Sequence, residues 1–165
     1  ENSKTCLAVD PADPDHVIRA VQAEGLTLAG ILTTHQHWDH AGGNEAILAK
    51  FPDVKIYGSK VDQIPGLTSP VAEGQMFWFP PHAVANSPRL IVQVWESPCH
   101  TKGHVMYLLT DKPDESVAAA NPADPEGGGT PKPLALFTGD TLFSGGVGKF
   151  FEGTGAQMAA NLTRI

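Results

Sequence analysis

Four ligand-type side chains fall within six positions in His35-Gln36-His37-Trp38-Asp39-His40, directly after an apolar run. Residues 26–34 have the length and apolar character of a buried strand. The histidine-rich loop, residues 35–43, begins where that strand ends. Open α/β sheets bind ligands beyond the carboxyl ends of their strands, and neutral imidazole and carboxylate are ordinary zinc ligands. In an extended segment His35 and His37 point the same way and can hold one ion. Asp39 and His40 lie past the bend and can reach a second. Histidines that merely capped the next helix would leave too many ligand-type groups unpaired.

The surrounding pattern supplies a sheet for this loop. Residues 5–9 form a short apolar run closed by Asp10-Pro11, a strand and a turn. Asp15 then caps a helix with Val17, Ile18, Ala20 and Val21 on one stripe and Gly25 as its stop. After the loop, Asn44 caps a second helix over residues 45–51, and residues 54–58 form another strand. The β-α-β-α-β order implies parallel strands with helices on the sheet faces. From Gly74 the texture changes: residues 75–79 and 90–96 read as antiparallel strands, followed by strands at 105–110 and 134–138. Residues 111–133 between the last two are rich in proline and acid and contain Gly127-Gly128-Gly129, the composition of a mobile surface insertion. Thr154 with Gln157 makes a capping box for a final helix.

Two more candidate ligands end strands: His100 in Pro98-Cys99-His100-Thr101-Lys102-Gly103-His104, and Asp140 in Phe137-Thr138-Gly139-Asp140-Thr141. Either alone would pass for a turn or capping residue. With the first motif, all three sites lie at carboxyl ends of strands and can converge on one sheet edge. His104 is expected to orient the metal loop by hydrogen bonding. Cys99 is expected to be a small buried residue and Trp38 to pack around the site. His16 starts a helix and is expected to be solvated, and His82 follows Pro80-Pro81 in a loop and lacks ligand partners nearby.

The pattern H-x-H-x-D-H, then His after one strand and Gly-Asp after another, resembles the metallo-β-lactamase superfamily. Within it, T-H-x-H-W-D-H-A-G-G-N, P-C-H-T-x-G-H and F-T-G-D-T-L-F-x-G-G-x-G-K-F-F-E-G-T resemble glyoxalase II, over residues 10–158. The resemblance implies an α/β fold, the four-layer αββα sandwich of that superfamily, incomplete and formed by residues 1–165 as one partial catalytic domain. It implies two divalent metal ions, zinc first, with iron and manganese compatible. His35, His37 and His100 would bind one ion, Asp39 and His40 the other, and Asp140 would bridge them. Asp39 and Asp140 would also be catalytic, through a hydroxide shared by the ions. Lys149, Phe151 and Gly148 would contact the substrate. Phe151 stands where the family usually has tyrosine, which keeps an apolar wall and loses a hydroxyl.

Two ions about 3.5–4 Å apart can lower the pKa of a shared water to near neutrality, and no side-chain nucleophile is then required. A thiol of pKa roughly 8.5 leaves without a strong general acid, so a thioester suits such a site. The implied reaction is hydrolysis of the small-molecule glutathione thioester S-D-lactoylglutathione to D-lactate and glutathione. Other readings are a persulfide dioxygenase using one iron, a lactonase, or a non-catalytic truncated form.

Bulk properties set the remaining bounds. The net charge of −7 argues against a nucleic-acid surface, and no apolar run reaches membrane-spanning length. Cys6 and Cys99 cannot form a disulfide framework and fit a reducing compartment, with a single bridge as the alternative. A monomer is expected, in the cytoplasm or the mitochondrion. The chain opens at Glu1 without methionine and stops at Ile165 within what reads as a helix, the pattern of a piece of a longer protein. The resemblance implies a further histidine ligand and a C-terminal helical domain beyond that point.

Overall fold

The computed structural model describes residues 4–79, 90–111 and 132–165. Two four-stranded sheets make the frame. In the first, β1 (Thr5–Val9), β2 (Thr27–Leu32), β3 (Lys55–Ser59) and β4 (Ser69–Val71) are all parallel and lie in that order. In the second, β5 (Met76–Phe79), β6 (Leu90–Glu96), β7 (Val105–Thr110) and β8 (Pro133–Phe137) form an antiparallel meander. Helices α1 (Pro14–Ala23) and α3 (Asn44–Lys50) carry Val17, Val21, Ile47 and Leu48 into a core with Leu28, Ile31 and Ile56 of the first sheet. A second core lies between the sheets, where Leu32 and Val71 meet Val92, Val94, Val105 and Tyr107. On β6, Trp95 faces away from Val92 and Val94, and Arg164 sits over its ring at 5.1 Å. That contact places the end of α4 (Gly155–Leu162) on the outer face of the second sheet. The layers are thus helices, sheet, sheet and helix, the architecture expected of an incomplete αββα sandwich.

The sheets are joined where β2 ends. Val105 donates its N–H to the Thr34 carbonyl at 2.9 Å, and the wholly buried Tyr107 hydroxyl donates to the Thr33 carbonyl at 2.9 Å. The histidine-rich loop therefore leaves a point fixed from both sheets. A four-residue helix, α2 (Trp38–Ala41), turns the chain within that loop.

Several local expectations are corrected. Asp13, not Asp15, caps α1: its side chain accepts the His16 N–H, and Pro14 takes the first helical position, where a missing N–H costs nothing. Gly43 holds the cap position of α3. Asn44 turns inward instead, with Nδ2 donating to Thr33 Oγ1 and the Pro65 carbonyl. Trp38 is 81% exposed rather than packed. α4 ends at Leu162 with Thr163 as its C-cap, so the chain does not stop within a helix. Both cysteines are free. Most of the predicted insertion, residues 112–131, and His82 lie outside the described residues. The segment's two ends meet: Asp111 N–H donates to the Lys132 carbonyl, and Lys132 N–H to Asp111 Oδ1.

Candidate metal centre

Three ring nitrogens meet at the carboxyl edge of the sheets. His37 Nδ1 lies 3.0 Å from His35 Nε2 and 2.9 Å from His100 Nε2. Beside them, Asp140 spans the gap to a fourth histidine. Its Oδ2 is 3.2 Å from His100 Nε2 and its Oδ1 is 3.1 Å from His40 Nε2. Two donor groups result, His35/His37/His100 and His35/His40/Asp140, each with its ligand atoms within 4.8 Å of one another. Asp39 is the outlier. Its carboxylate is 56% exposed, with Oδ2 3.9 Å from His40 Nε2.

The neighbours of each ring decide which nitrogen offers a lone pair. Thr34 Oγ1 gives its hydrogen to Asp10 Oδ2 at 2.8 Å, so it must accept from His35 Nδ1, 3.0 Å away. His40 Nδ1 faces Asp10 Oδ2 at 3.0 Å, and His100 Nδ1 donates to the Lys149 carbonyl at 2.7 Å. In all three rings Nδ1 carries the proton and Nε2 is left bare toward the centre. Burial, helped by the surrounding histidines, pushes His35 down to about 2, so its ring is neutral at ordinary pH. Burial would also lower His40, but its bond to Asp10 and the charges of Asp10, Asp140 and Asp39 hold it above the ordinary value.

These features fit a cation. His37 Nδ1 faces two bare Nε2 atoms, at 3.0 and 2.9 Å, and a single ring N–H could satisfy only one of them, whereas a cation satisfies all three nitrogens. The spacing is close to the roughly 3.3 Å edge of a tetrahedron built from zinc–nitrogen bonds of 2.0–2.1 Å. At His40 the three neighbouring carboxylates favour a positive charge.

The supporting groups are as well ordered as the donors. His104 is wholly buried, and its Nε2 accepts the Asp140 N–H at 3.0 Å. Its Nδ1–H donates to Ser97 Oγ at 2.7 Å, and Thr141 Oγ1 donates to the same oxygen at 3.0 Å. Gly148 is buried, and its N–H donates to the Asp140 carbonyl at 2.9 Å. A Cβ there would lie 2.2 Å from that carbonyl oxygen and 3.0 Å from His100 Nδ1. At the mouth, the Phe151 ring lies edge-on to His37 and His100, with centroids 5.5 and 5.2 Å away. Lys149 is exposed, with Nζ 4.9 Å from the Phe151 centroid. Cys99 is buried and donates to the Thr154 carbonyl at 3.3 Å, while burial raises its thiol pKa.

Two carboxylates were missed in the sequence. Asp10, at φ 45°, accepts both the Thr34 N–H and its hydroxyl and also faces His40. Asp62 is buried between the loops that carry His35, His37 and His100. Both follow strands that flank β2 in a parallel sheet, so the signal was the strand order rather than any local motif.

The neutral buried histidines make acid stability a test of this geometry. Burial pushes His104 down to about 3 and His35 to about 2. The unfolded chain takes up those protons near 6.5, whereas the folded chain resists, so their stabilisation is complete above pH 6.5 and drains as pH falls. Each histidine contributes a slope of about 1.4 kcal/mol per pH unit within that window. His40, raised, acts in the opposite window, above its ordinary value. Urea midpoints of the metal-free protein are therefore expected to fall steeply between pH 6.5 and 4. A flat profile there would contradict the buried neutral rings.

Residues 1–115 match the metallo-beta-lactamase superfamily profile. The chain is 39% identical over 162 residues to the cytoplasmic hydroxyacylglutathione hydrolase of Arabidopsis thaliana, an alignment covering 98% of this chain and 54% of that protein. It is 40% identical over 164 residues to a hydroxyacylglutathione hydrolase of Synechococcus sp., covering 98% of this chain and 55% of that one. The chain thus spans about half the length of the curated relatives it matches. Among solved structures, TTHA1623 in a di-iron-bound form superposes with a TM-score of 0.61 at 25% identity, over 94% of this chain and 72% of that one. ETHE1 from Myxococcus xanthus shares the fold, with a TM-score of 0.65 at 24% identity over 100% of this chain and 60% of that one. The chain belongs to the metallo-β-lactamase superfamily.

Proposed function

We propose that this chain carries the metal centre of a thioesterase of the hydroxyacylglutathione hydrolase type, which converts S-D-lactoylglutathione and water to D-lactate and glutathione. The observation that carries the reading is the pair of adjacent donor groups, His35/His37/His100 and His35/His40/Asp140, with the Asp140 carboxylate 3.2 Å from His100 and 3.1 Å from His40, in a chain similar throughout to proteins of that name. His35 Nε2, His37 Nδ1 and His100 Nε2 would hold one divalent ion. His40 Nε2 and Asp39 would hold the second, with Asp140 between the two. Zinc suits the donor set, and iron and manganese are compatible with it. The bound ions would supply Lewis acidity, making water a nucleophile near neutral pH and polarising the carbonyl.

The chain's own residues do the rest. Asp10 and His104 hold His40 and the Asp140 backbone in place before substrate arrives. Phe151 shields the rings of His37 and His100 from water. In a chain of net charge −7, the Lys149 ammonium supplies the local positive charge that glutathione carboxylates require at the mouth. Gly148 keeps that loop closely seated on Asp140. The thiolate leaves without a proton donor, and Cys99, buried and already bonded, is not a nucleophile. The cytoplasm is the compartment proposed, following the name of the Arabidopsis relative; among the described residues no helix is long and apolar enough to cross a membrane.

Release of glutathione from S-D-lactoylglutathione tests the reading. The metal-loaded protein is expected to turn over and to stop when a chelator strips the ions. A folded, loaded protein that releases no glutathione would refute the activity for this chain, and oxygen uptake with glutathione persulfide would assign it to the dioxygenase reading instead.

A further inference from the structure

We propose that Asp62 is a positioning residue for the metal, a strut that sets the spacing of the two loops carrying His35, His37 and His100. The inference rests on the metal-centre reading above. Asp62 lies between β3 and β4 and is 5% exposed. Its Oδ2 accepts the Gln36 N–H at 3.1 Å, from the residue between the two histidines of the first loop. The same oxygen accepts the hydroxyl of Thr101, next to His100, at 2.8 Å. Its Oδ1 accepts the Gly103 N–H at 2.8 Å. All three donors come from the two ligand loops and none from its own segment. Gln36 returns the tie, since its Oε1 accepts the Gln63 N–H at 2.8 Å.

The chemistry of the bond set is selective. Every donor to Asp62 is neutral, and among the described residues no cation pairs with it. A buried carboxylate without a counter-charge is costly, and hydrogen bonds must compensate for its lost hydration. The approach also dictates a glycine. A Cβ at residue 103 would lie 2.4 Å from Asp62 Oδ1 and 2.6 Å from its backbone nitrogen. The role differs from that of the Lys149 carbonyl, which fixes how the His100 ring is turned. Asp62 fixes where the His100 loop stands relative to His35 and His37. Without that spacing a bound ion would have to draw the loops together itself, and affinity would fall.

The test is cobalt(II) titration of the metal-free protein, read by its visible absorption bands and by competition with a chromophoric chelator. Asp62→Asn keeps the side-chain shape but turns an NH2 group toward backbone or hydroxyl donors. It is expected to remain folded by circular dichroism, to bind cobalt at least about tenfold more weakly, and to shift the cobalt bands. A purely structural role would lower the melting temperature alone; affinity within about twofold of the parent and unchanged bands would overturn the proposal. If Asp62→Asn does not fold, Thr101→Val decides. It removes one donor at nearly constant shape and is expected to weaken cobalt binding by about threefold or more, with unchanged affinity counting against the strut. Failure of the parent protein to bind cobalt would instead overturn the metal reading and the strut together.

Discussion

Replacing Asp140 with asparagine is expected to reduce glutathione release from S-D-lactoylglutathione by at least about 10²-fold while leaving the fold intact, the scale of losing one preorganised electrostatic contact. The side chain is where the two donor groups meet, with one oxygen 3.2 Å from His100 Nε2 and the other 3.1 Å from His40 Nε2. An amide has one acceptor oxygen and no charge, so it cannot serve both sides. The backbone contacts that seat the residue are untouched: the Asp140 N–H still meets His104, and Gly148 still meets its carbonyl. Initial rates beside far-ultraviolet circular dichroism separate the two effects. A folded variant that kept more than about a tenth of the rate would remove Asp140 from the centre of the reaction.

Gly139→Ala should fail for a different reason, in folding. Gly139 sits at φ 47°, where an L side chain is strained, and a Cβ would lie 2.6 Å from both His104 Nε2 and Thr34 Oγ1. Neither neighbour can retreat. His104 is held between Ser97 and the Asp140 N–H, and Thr34 between Asp10 and His35. Backbone strain and overpacking against the wholly buried His104 and Thr34 together should cost about 3 kcal/mol or more. Gly145→Ala is the internal control: nothing lies within 4 Å of its added carbon. It should change stability by no more than about 0.5 kcal/mol. Denaturant titration of the pair reads the difference, and equal stability would mean that the network around His104 is loose.

Much of this centre was legible because its ligand-type residues follow strands whose signals are local. His35, His100 and Asp140 each stand beyond an apolar run. His35 follows β2 of the parallel sheet, while His100 and Asp140 follow β6 and β8, alternate strands of the antiparallel sheet that run the same way and so end at one edge. The Thr154–Gln157 capping box was equally local, as were Val17 and Val21 on the buried side of α1, whereas Ala20, expected on the same stripe, is exposed. What escaped depended on neighbours distant in sequence. Asp10 and Asp62 reach the histidine loop only because β1 and β3 flank β2 on either side, with Val9 beside Leu32 and Leu32 beside Tyr57. Asn44 looked like a cap because the small Gly43 before it carries no capping side chain; its amide is drawn inward by Thr33 and the Pro65 carbonyl. β4, a three-residue strand containing Pro70 at the sheet edge, has too little apolar pattern to detect. α2 is equally short and leaves Trp38 in solvent, so it has no buried stripe to announce it.

The central claim is that these donors hold a pair of metal ions. The most direct measurement is metal content per chain by elemental analysis, on protein purified without chelator and repeated after loading with zinc. Two ions per chain are expected, falling toward one in Asp140→Asn. A loaded protein that holds no ion would contradict the centre itself. One that holds a single ion would contradict the dinuclear site.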